Sequence, residues 1–389
     1  GAGDGRRSGR RPDDRVVSYQ GRGPGLRGPQ THRCLCVPFV LLLAVAACDG
    51  TSGEEAEEAP TSRSFEDVFR LEKRIVLEEP DSALITGIRA LAEGPAGRLA
   101  VVDRLRDEFR VYSPRGSLVH RGGGFGQGPG ELDGPLAVAW DSAGGLLVSD
   151  AGNNRVNRYS RSFRYDTAWQ PRKGFAVNEL AVLRDSLLVA TVIRGPPVEH
   201  TGFLYDYRGR IVAPFHEVAA AVDTAPYWRS AVGPVLAASD SYLVAGNTVQ
   251  YPLSVYDSRA DPMDSVGRPS SRWTSIPPTE PGQFLPPRQM QKFEKWKRTF
   301  TTLGEVAIVD DTVLLVVEKD LDPDVLDYEK AAYRVGVYRL TEPRAKVAEG
   351  LAVPGAAFGT GDRLYVLLAS PPEGPWTLGA YGFAPADRD

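Results

Sequence analysis

The sequence predicts an all-β protein folded as a six-bladed β-propeller. Three observations lead to this prediction: a segment that repeats without a gap, an order of short strands that recurs along the chain, and an alternating strand that precedes the first repeat. Repeats of roughly 40–50 residues with several short strands each are typical of propeller blades. An all-β sandwich also contains alternating short strands, and it is the alternative fold.

The repeat is seen when the chain is superimposed on itself with a shift of 47 residues. Arg89–Ser113 then lies on Leu136–Ser160, and the coinciding positions include Asp103 with Asp150 and Tyr112 with Tyr159. Each copy reads as a strand, a turn, a second strand, a loop and an aromatic strand that ends in a polar turn. Two consecutive blades are therefore predicted here.

Four further units follow the same order more faintly, which brings the total to six. Their second strands are predicted at Leu187–Thr191, Tyr242–Gly246, Val313–Lys319 and Leu364–Ser370. The sixth unit stops at Phe383 without room for a fourth strand, whereas Val68–Glu79 alternates before the first unit. A ring with an unpaired edge strand would be prone to aggregation. The N-terminal strand is therefore predicted to complete the last blade.

A glycine-rich stretch, RGGGFGQGPGEL at Arg121–Leu132, resembles a phosphate-binding loop at first sight. A dinucleotide fingerprint needs a third glycine where this loop has Pro129 or Glu131, and a Walker loop needs a lysine near its end. The stretch falls between the two clear copies of the repeat. It is therefore predicted to be the connection between two blades, with glycines that permit tight turns.

The pairing of GQGPGEL with LLVSDAGNNRV resembles the NHL-repeat type of six-bladed propeller, which is common among bacterial lipoproteins. The resemblance is best over Leu84–Thr167 and implies a fold rather than an activity. It also implies a Gly-Pro-Gly-acid loop that leads into the innermost strand, and Gly128–Glu131 occupies that place.

The N-terminal region predicts export and lipidation. Val37–Ala47 is apolar and too short to span a bilayer comfortably, and small residues precede Cys48, as in a lipobox. Cys34 and Cys36 lie in the segment that would be removed, so Cys48 would be the single cysteine of the mature chain. An ordinary secretory signal with a chance cysteine is the alternative. The long stretch before the apolar run suggests an over-extended start.

The predicted organisation is a lipoprotein signal peptide at 1–47, a flexible acidic tether at 48–63 and the propeller at 64–389. The whole chain has a formal charge of −4, and removal of the first 47 residues, which carry a net +5, leaves about −9. An acidic domain is a poor partner for nucleic acid. We expect a monomer in the cell envelope, lipid-anchored to a membrane and either periplasmic or surface-exposed, without a cofactor.

The long loops concentrate on one face of the predicted propeller, where blade-to-blade connections and the loops between second and third strands emerge. Binding sites usually lie on such loops. The aromatic residues of this face suit recognition of a protein, a peptide or a glycan. The candidates are Tyr227, Trp228, Tyr251 and Trp376, with Phe125 and Trp273 beside them. The alternative is that these rings pack the loops onto the ring.

Two insertions on this face have interpretations of their own. Pro286–Phe300 predicts a short helical insertion between blades 4 and 5, with Met290, Phe293 and Phe300 along one side. Three functional interpretations are open: a lid, a partner-binding helix or a contact with the membrane surface. The fourth is a helix packed on the core, which is the more common role of a helix with apolar residues along one side. The acids of Asp320–Asp327 lack the glycine and the glutamate of a calcium loop, which favours a solvated loop.

The sequence leaves open whether the protein is an enzyme. Its three histidines outside the signal region, His120, His200 and His216, have no metal-ligand spacing. No Gly-x-Ser-x-Gly elbow is present. Related six-bladed folds include metal-dependent lactonases and amidating lyases, which place ligands at the channel mouth. Alignment of the innermost strands puts Glu179 and Glu305 there. With Asn178 they form the candidate site of an alternative metal-dependent hydrolase or lyase.

Overall fold

The computed structural model describes residues 63–81, 84–171, 176–183, 186–192, 199–206, 208–217, 233–277, 290–321 and 331–384. The predicted signal peptide and tether, with Cys48, and the loop that holds Tyr227 and Trp228 lie outside these residues. The same is true of Pro286 and of the acids from Asp322 to Asp327.

The described strands form six four-stranded antiparallel sheets, and five of these sheets use four strands that are consecutive in the chain. The first three sheets contain β2–β5, β6–β9 and β10–β13. Their strands are β2 Ala90–Glu93, β3 Leu99–Asp103, β4 Glu108–Tyr112, β5 Leu118–Gly123, β6 Pro135–Trp140, β7 Leu146–Asp150, β8 Arg155–Tyr159, β9 Tyr165–Trp169, β10 Ala176–Leu183, β11 Ser186–Val192, β12 His200–Tyr205 and β13 Ile211–Glu217.

The fourth and fifth sheets contain β14–β17 and β18–β21, and the sixth combines β22–β24 with β1 from the other end of the described chain. These strands are β14 Pro234–Ala238, β15 Tyr242–Asn247, β16 Leu253–Asp257, β17 Pro262–Val266, β18 Thr302–Val309, β19 Val313–Asp320, β20 Ala332–Arg339, β21 Ala345–Val353, β22 Ala357–Thr360, β23 Arg363–Ala369, β24 Thr377–Phe383 and β1 Phe69–Val76.

The sheets are arranged around a closed ring. The first strand of each sheet, taken in chain order, contacts the first strand of the next, and β22 contacts β2 to complete the circle. The core follows the same plan, because an apolar cluster lies at every junction between neighbouring sheets. Radially arranged sheets that bury apolar side chains between their faces define a β-propeller.

The ring closes through the N-terminal strand, as the sequence predicted. β1 pairs antiparallel with β24, from Phe69 opposite Phe383 to Val76 opposite Thr377. A one-turn helix, α1 (Phe65–Val68), precedes β1 and begins at Ser64, whose side chain accepts a hydrogen bond from the Asp67 amide. The Phe69 ring lies 5.1 Å from the Phe383 ring. The closing strand is therefore held by backbone pairing and by buried aromatic rings.

The turns between third and fourth strands are short and chemically similar in four sheets. Each of these turns begins with a serine or an aspartate at the end of the third strand or directly after it. The side-chain oxygen of that residue accepts a hydrogen bond from the backbone amide four residues later. Such local side-chain bonds favour tight turns. The accepting residues are Ser113, Ser160, Asp206 and Asp257. These turns lie at the end of the ring opposite to the long loops.

The second described helix, α2 (Met290–Lys297), lies between β17 and β18. It is shorter than the predicted segment. Phe293 and the following Phe300 are buried, and the ring of Trp296 packs between them. In the described part of the chain, no helix is long and apolar enough to cross a membrane.

Candidate binding site at the mouth of the channel

A narrow channel runs along the axis of the ring. Its inner part, here called the throat, is a cavity of about 230 Å³ lined by residues from the first strand of every sheet or the residues beside it. Small side chains such as Ala137, Ala181 and Ala307 keep the throat open. A wider cavity of about 430 Å³, here called the mouth, lies where the innermost strands begin, on the long-loop face.

Two carboxylates, Glu179 and Glu305, reach the throat because each follows the same kind of backbone irregularity. In β10 the pairing register shifts between Val177 and Glu179, and in β18 it shifts between Leu303 and Glu305. Each shift marks a β-bulge, which re-aims the side chains next to it. Both glutamates line the throat, and Glu179 alone also borders the mouth, where the sequence alignment had predicted both side chains.

Arg89 joins this pair from the segment that precedes β2. Its guanidinium lies 3.5 Å from the Glu179 carboxylate, and the two side chains are 35% and 29% exposed. Asn178, the extra residue of the bulge in β10, donates a hydrogen bond to the same carboxylate at 3.1 Å. Arg89 and Glu179 border both cavities. They therefore mark the boundary between mouth and throat.

The channel changes the proton affinities of its acids. Burial raises the pKa of Glu179, against the opposing effect of Arg89. The pKa of Glu305 is raised well above its ordinary value, first by burial and then by the nearby Glu179 charge, while Arg89 opposes the shift. Two carboxylates in one poorly solvated space resist simultaneous ionisation.

Lys319 contributes a cation to the mouth from the end of β19. Burial lowers its pKa to about 8, and the neighbouring cations Arg89, Lys297 and Arg298 act in the same direction. Its ammonium also lies 5.7 Å from the centre of the Tyr333 ring. A lysine whose pKa is near neutral pH, inside a cavity, is a common feature of functional sites.

Nothing in the local sequence of Arg89 or Lys319 distinguishes these residues, so the sequence alone did not predict them as part of a site. The same applies to a buried polar cluster in the fifth sheet. There Arg334 contacts Glu318 at 3.3 Å and Asp320 at 2.5 Å, and Glu318 also accepts hydrogen bonds from Ser270. This cluster joins the segment after β17 to β19 and β20, so its role is structural.

The metal alternative has only part of the donor set that it needs. Glu179 and Glu305 lie in the same channel, but no group of three or more histidine, cysteine, aspartate or glutamate side chains among the described residues is placed to hold a metal. Asn178 already donates its amide hydrogen to Glu179. The observed arrangement fits a charged binding site better than a complete metal centre.

Two of the aromatic candidates, Trp376 and Tyr251, pack against the core. Trp376 is 4% exposed and packs at the junction between the sixth and first sheets, so its ring is not presented on the surface as expected. Tyr251 packs edge-on against Trp273 and donates a hydrogen bond to Glu318 at 3.3 Å. A position in a loop did not reveal that these side chains point inward. Phe125, by contrast, is 77% exposed.

The glycine-rich loop is structural, as predicted. Its carbonyl groups accept hydrogen bonds from the next sheet: Arg155 binds Gln127, Gly128 and Glu131, while Asn153 binds Gly126. Gly123 and Gly130 have φ values of 93° and 80°, which favour glycine. Through these hydrogen bonds, the loop is fixed to β8 and to the turn that precedes it.

Comparisons with known proteins identify the fold but no family. No family model matches the chain, and no curated protein matches it. The NHL-repeat resemblance therefore stays a prediction.

Solved structures give the clearest similarity. One is a protein from Bacteroides fragilis described as exported, which is 15% identical with a TM-score of 0.57 and covers 83% of this chain and 98% of its own. Another is a DUF4221 family member from Bacteroides vulgatus, 13% identical with a TM-score of 0.58, covering 82% and 99%. At these identities the similarity shows a shared fold alone.

Proposed function

We propose that this protein is an exported propeller, tethered to a membrane through Cys48, that binds a small molecule or the end of a peptide at the mouth of its channel. The apolar run before Cys48 supports export and lipidation, and a protein of similar fold is described as exported. The binding role follows from the long-loop face, where rigid scaffolds usually carry their sites.

The observation that carries the binding proposal is the mouth itself. Its volume of about 430 Å³ is within the range of small-molecule sites, and its wall combines apolar and charged side chains. The apolar part includes Val235, Phe300 and Phe358, and the charged part includes Arg89 and Lys319. A few convergent polar groups in an otherwise apolar pocket are the usual basis for selective binding.

A cavity-blocking variant tests this proposal. Gly304 lines the mouth, its φ is not in the positive range, and a Cβ there would come within 3.4 Å of the Lys319 Cβ, a tight but adjustable contact. Gly304→Leu would therefore fill part of the mouth without changing its charge. The parent and the variant are screened for thermal stabilisation by a library of small molecules and short peptides.

We expect the compounds that stabilise the parent to lose their effect in Gly304→Leu. They should retain it in Gly374→Leu, a matched change in the loop between β23 and β24, away from both cavities. If every compound stabilises Gly304→Leu and the parent equally, binding at the mouth is ruled out.

A metal-dependent hydrolase or lyase is the second candidate, favoured by the equivalent placement of Glu179 and Glu305. Elemental analysis and titration with calcium or zinc test it. Under this function, the parent would hold metal stoichiometrically, and Glu179→Gln and Glu305→Gln would both lose it. Metal-free parent protein that does not respond to either titration would remove this candidate.

Recognition of a protein, peptide or glycan by Tyr227 and Trp228, which the sequence predicts on the long-loop face, extends the binding proposal. Trp228→Ala should abolish capture of such a partner while leaving small-molecule binding at the mouth intact. Unchanged capture by this variant would remove Trp228 from the site.

A further inference from the structure

We infer that the ligand of the mouth is an organic anion, one carboxylate or phosphate group on an apolar body, with its charge at Arg89 and Lys319. This inference rests on the proposed binding function and names the chemical class of the ligand. It is carried by the way in which charge and apolar surface are distributed along the channel.

Charge divides along the channel axis. Among the residues that the structure describes, the charged side chains that line the mouth are three cations and one acid, namely Arg89, Lys297, Lys319 and Glu179. Within the same part of the chain, those that line the throat are three acids and one cation, namely Glu93, Glu179, Glu305 and Arg89. An anion that enters from the long-loop face therefore meets cations first. The acids below oppose its passage further down the channel.

The cations come from three separate elements, so they surround the cavity instead of lying along one strand. Arg89 precedes β2 in the first sheet, Lys319 is the penultimate residue of β19 in the fifth, and Lys297 ends α2. Lys297 is paired with Glu294 at 3.3 Å, and Arg89 is paired with Glu179 at 3.5 Å. An anionic group between Arg89 and Lys319 would reduce the mutual repulsion of these cations, which contributes to the lowered pKa of Lys319.

The apolar wall requires more than a bare inorganic ion. Val235, Leu303 and Val317 line the mouth together with the aromatic rings of Phe300 and Phe358. A small anion such as phosphate would leave this surface in contact with water. A ligand with an aromatic or aliphatic body would bury it, and burial of apolar area favours binding.

Three probes of similar size test the role of charge: benzoate, its neutral amide benzamide and the cation benzylamine. Inorganic phosphate serves as the anion without an apolar body. Calorimetric titration of the full-length protein is expected to show benzoate binding more tightly than the other three. The difference from benzamide should be about tenfold or more, which corresponds to the loss of one charged hydrogen bond.

Variants then locate the bound anion. Lys319→Met and Arg89→Met should each weaken benzoate binding by about tenfold or more for the same reason. Arg115→Met, on a turn at the opposite end of the ring, should leave it unchanged. Circular dichroism of each variant verifies that the fold is intact, and Lys319→Arg should restore binding by restoring the charge.

The outcomes distinguish the inference from the function on which it rests. If benzamide or benzylamine binds as tightly as benzoate and Gly304→Leu abolishes that binding, the mouth is a binding site but not one for anions. If phosphate alone binds, the apolar body is not required and the inference is overturned. If benzoate binds equally to the parent and to Lys319→Met and Arg89→Met, the anion lies elsewhere.

Discussion

Asn178 and Gly304 are single extra residues in their strands, and they determine where the channel carboxylates lie. Without each bulge, the alternation of a β-strand would place the following side chain on the opposite face. Glu179 and Glu305 would then leave the throat. The chemistry of the channel therefore depends on two insertions in the pairing register that carry no charge themselves.

Glu305 gives a prediction about stability and pH. Its folded pKa is raised above the ordinary value of 4.5, so the folded chain keeps this proton to higher pH than the unfolded chain. Its contribution to stability is thus present below about pH 4.5 and is lost as the pH rises through the folded pKa. Glu305→Gln removes that loss.

Urea unfolding between pH 4.5 and 8 measures this effect. The free energy of unfolding of Glu305→Gln, relative to that of the parent, should increase with pH. For the control Glu199→Gln, at an exposed position, the difference from the parent should not change with pH. A constant difference between Glu305→Gln and the parent over this range would contradict the raised pKa.

Lys319 gives a prediction about binding and pH. Because its pKa is lowered to about 8, its charge is lost as the pH rises through that value. Benzoate affinity should therefore fall between about pH 7 and 9. Arg89, Lys297 and Arg298 lie near Lys319, and Glu179 and Glu305, whose pKa values are raised, lie in the same channel. The variant Lys319→Arg separates the contribution of Lys319 from that of the other groups, because a guanidinium does not titrate in this range. The benzoate affinity of Lys319→Arg should be nearly constant between about pH 7 and 9. An equal decline of affinity in the parent and the variant would assign the pH effect to other groups.

At the scale of elements, the seam between β1 and β24 closes the ring. Phe69, which is 2% exposed, lies at the first pair of this seam. Phe69→Ala should lower the free energy of unfolding by about 3–5 kcal/mol, the usual cost of truncating a buried phenylalanine. Leu71→Ala is the control on the same strand, since Leu71 is 37% exposed, and it should cost less than half as much. Similar losses in the two variants, measured by urea unfolding, would show that the seam does not depend on its buried face.

The elements also show which features the sequence could predict and which it could not. The 47-residue repeat placed Asp103 and Asp150 at equivalent positions, and both accept backbone hydrogen bonds from the segment before their innermost strand, at Thr86 and Asp133. Local patterns of this kind survive in the sequence because every sheet needs them. Arg89 and Lys319 line the same cavity only because the closed ring arranges the first and fifth sheets around a common axis, and no local pattern records that. Trp376 was misjudged because its loop position does not show which way the side chain points.

At the scale of the whole molecule, the proposed lipid anchor at Cys48 gives a prediction about location. Diacylation of Cys48 predicts that the protein is found in the membrane fraction, outside the cytoplasm. Cys48→Ala should either release the protein in soluble form or leave an unprocessed precursor. Fractionation with detection of the chain measures this, and Cys36→Ala, within the predicted signal, serves as a control. If Cys48→Ala partitions like the parent, the lipid anchor is excluded.

The pairing of β1 with β24 also has a consequence for how the chain is made. Phe69 and Phe383 are partners although more than 300 residues of chain lie between them. During synthesis β1 is made before β24 and has no pairing partner until β24 is added. The five sheets between them can therefore form while the ring is still open. A chain that is interrupted before Thr377 keeps two unpaired strand edges, which are sites for aggregation and proteolysis. The seam thus distinguishes chains that contain β24 from shorter ones, since only a chain translated through β24 can close the ring.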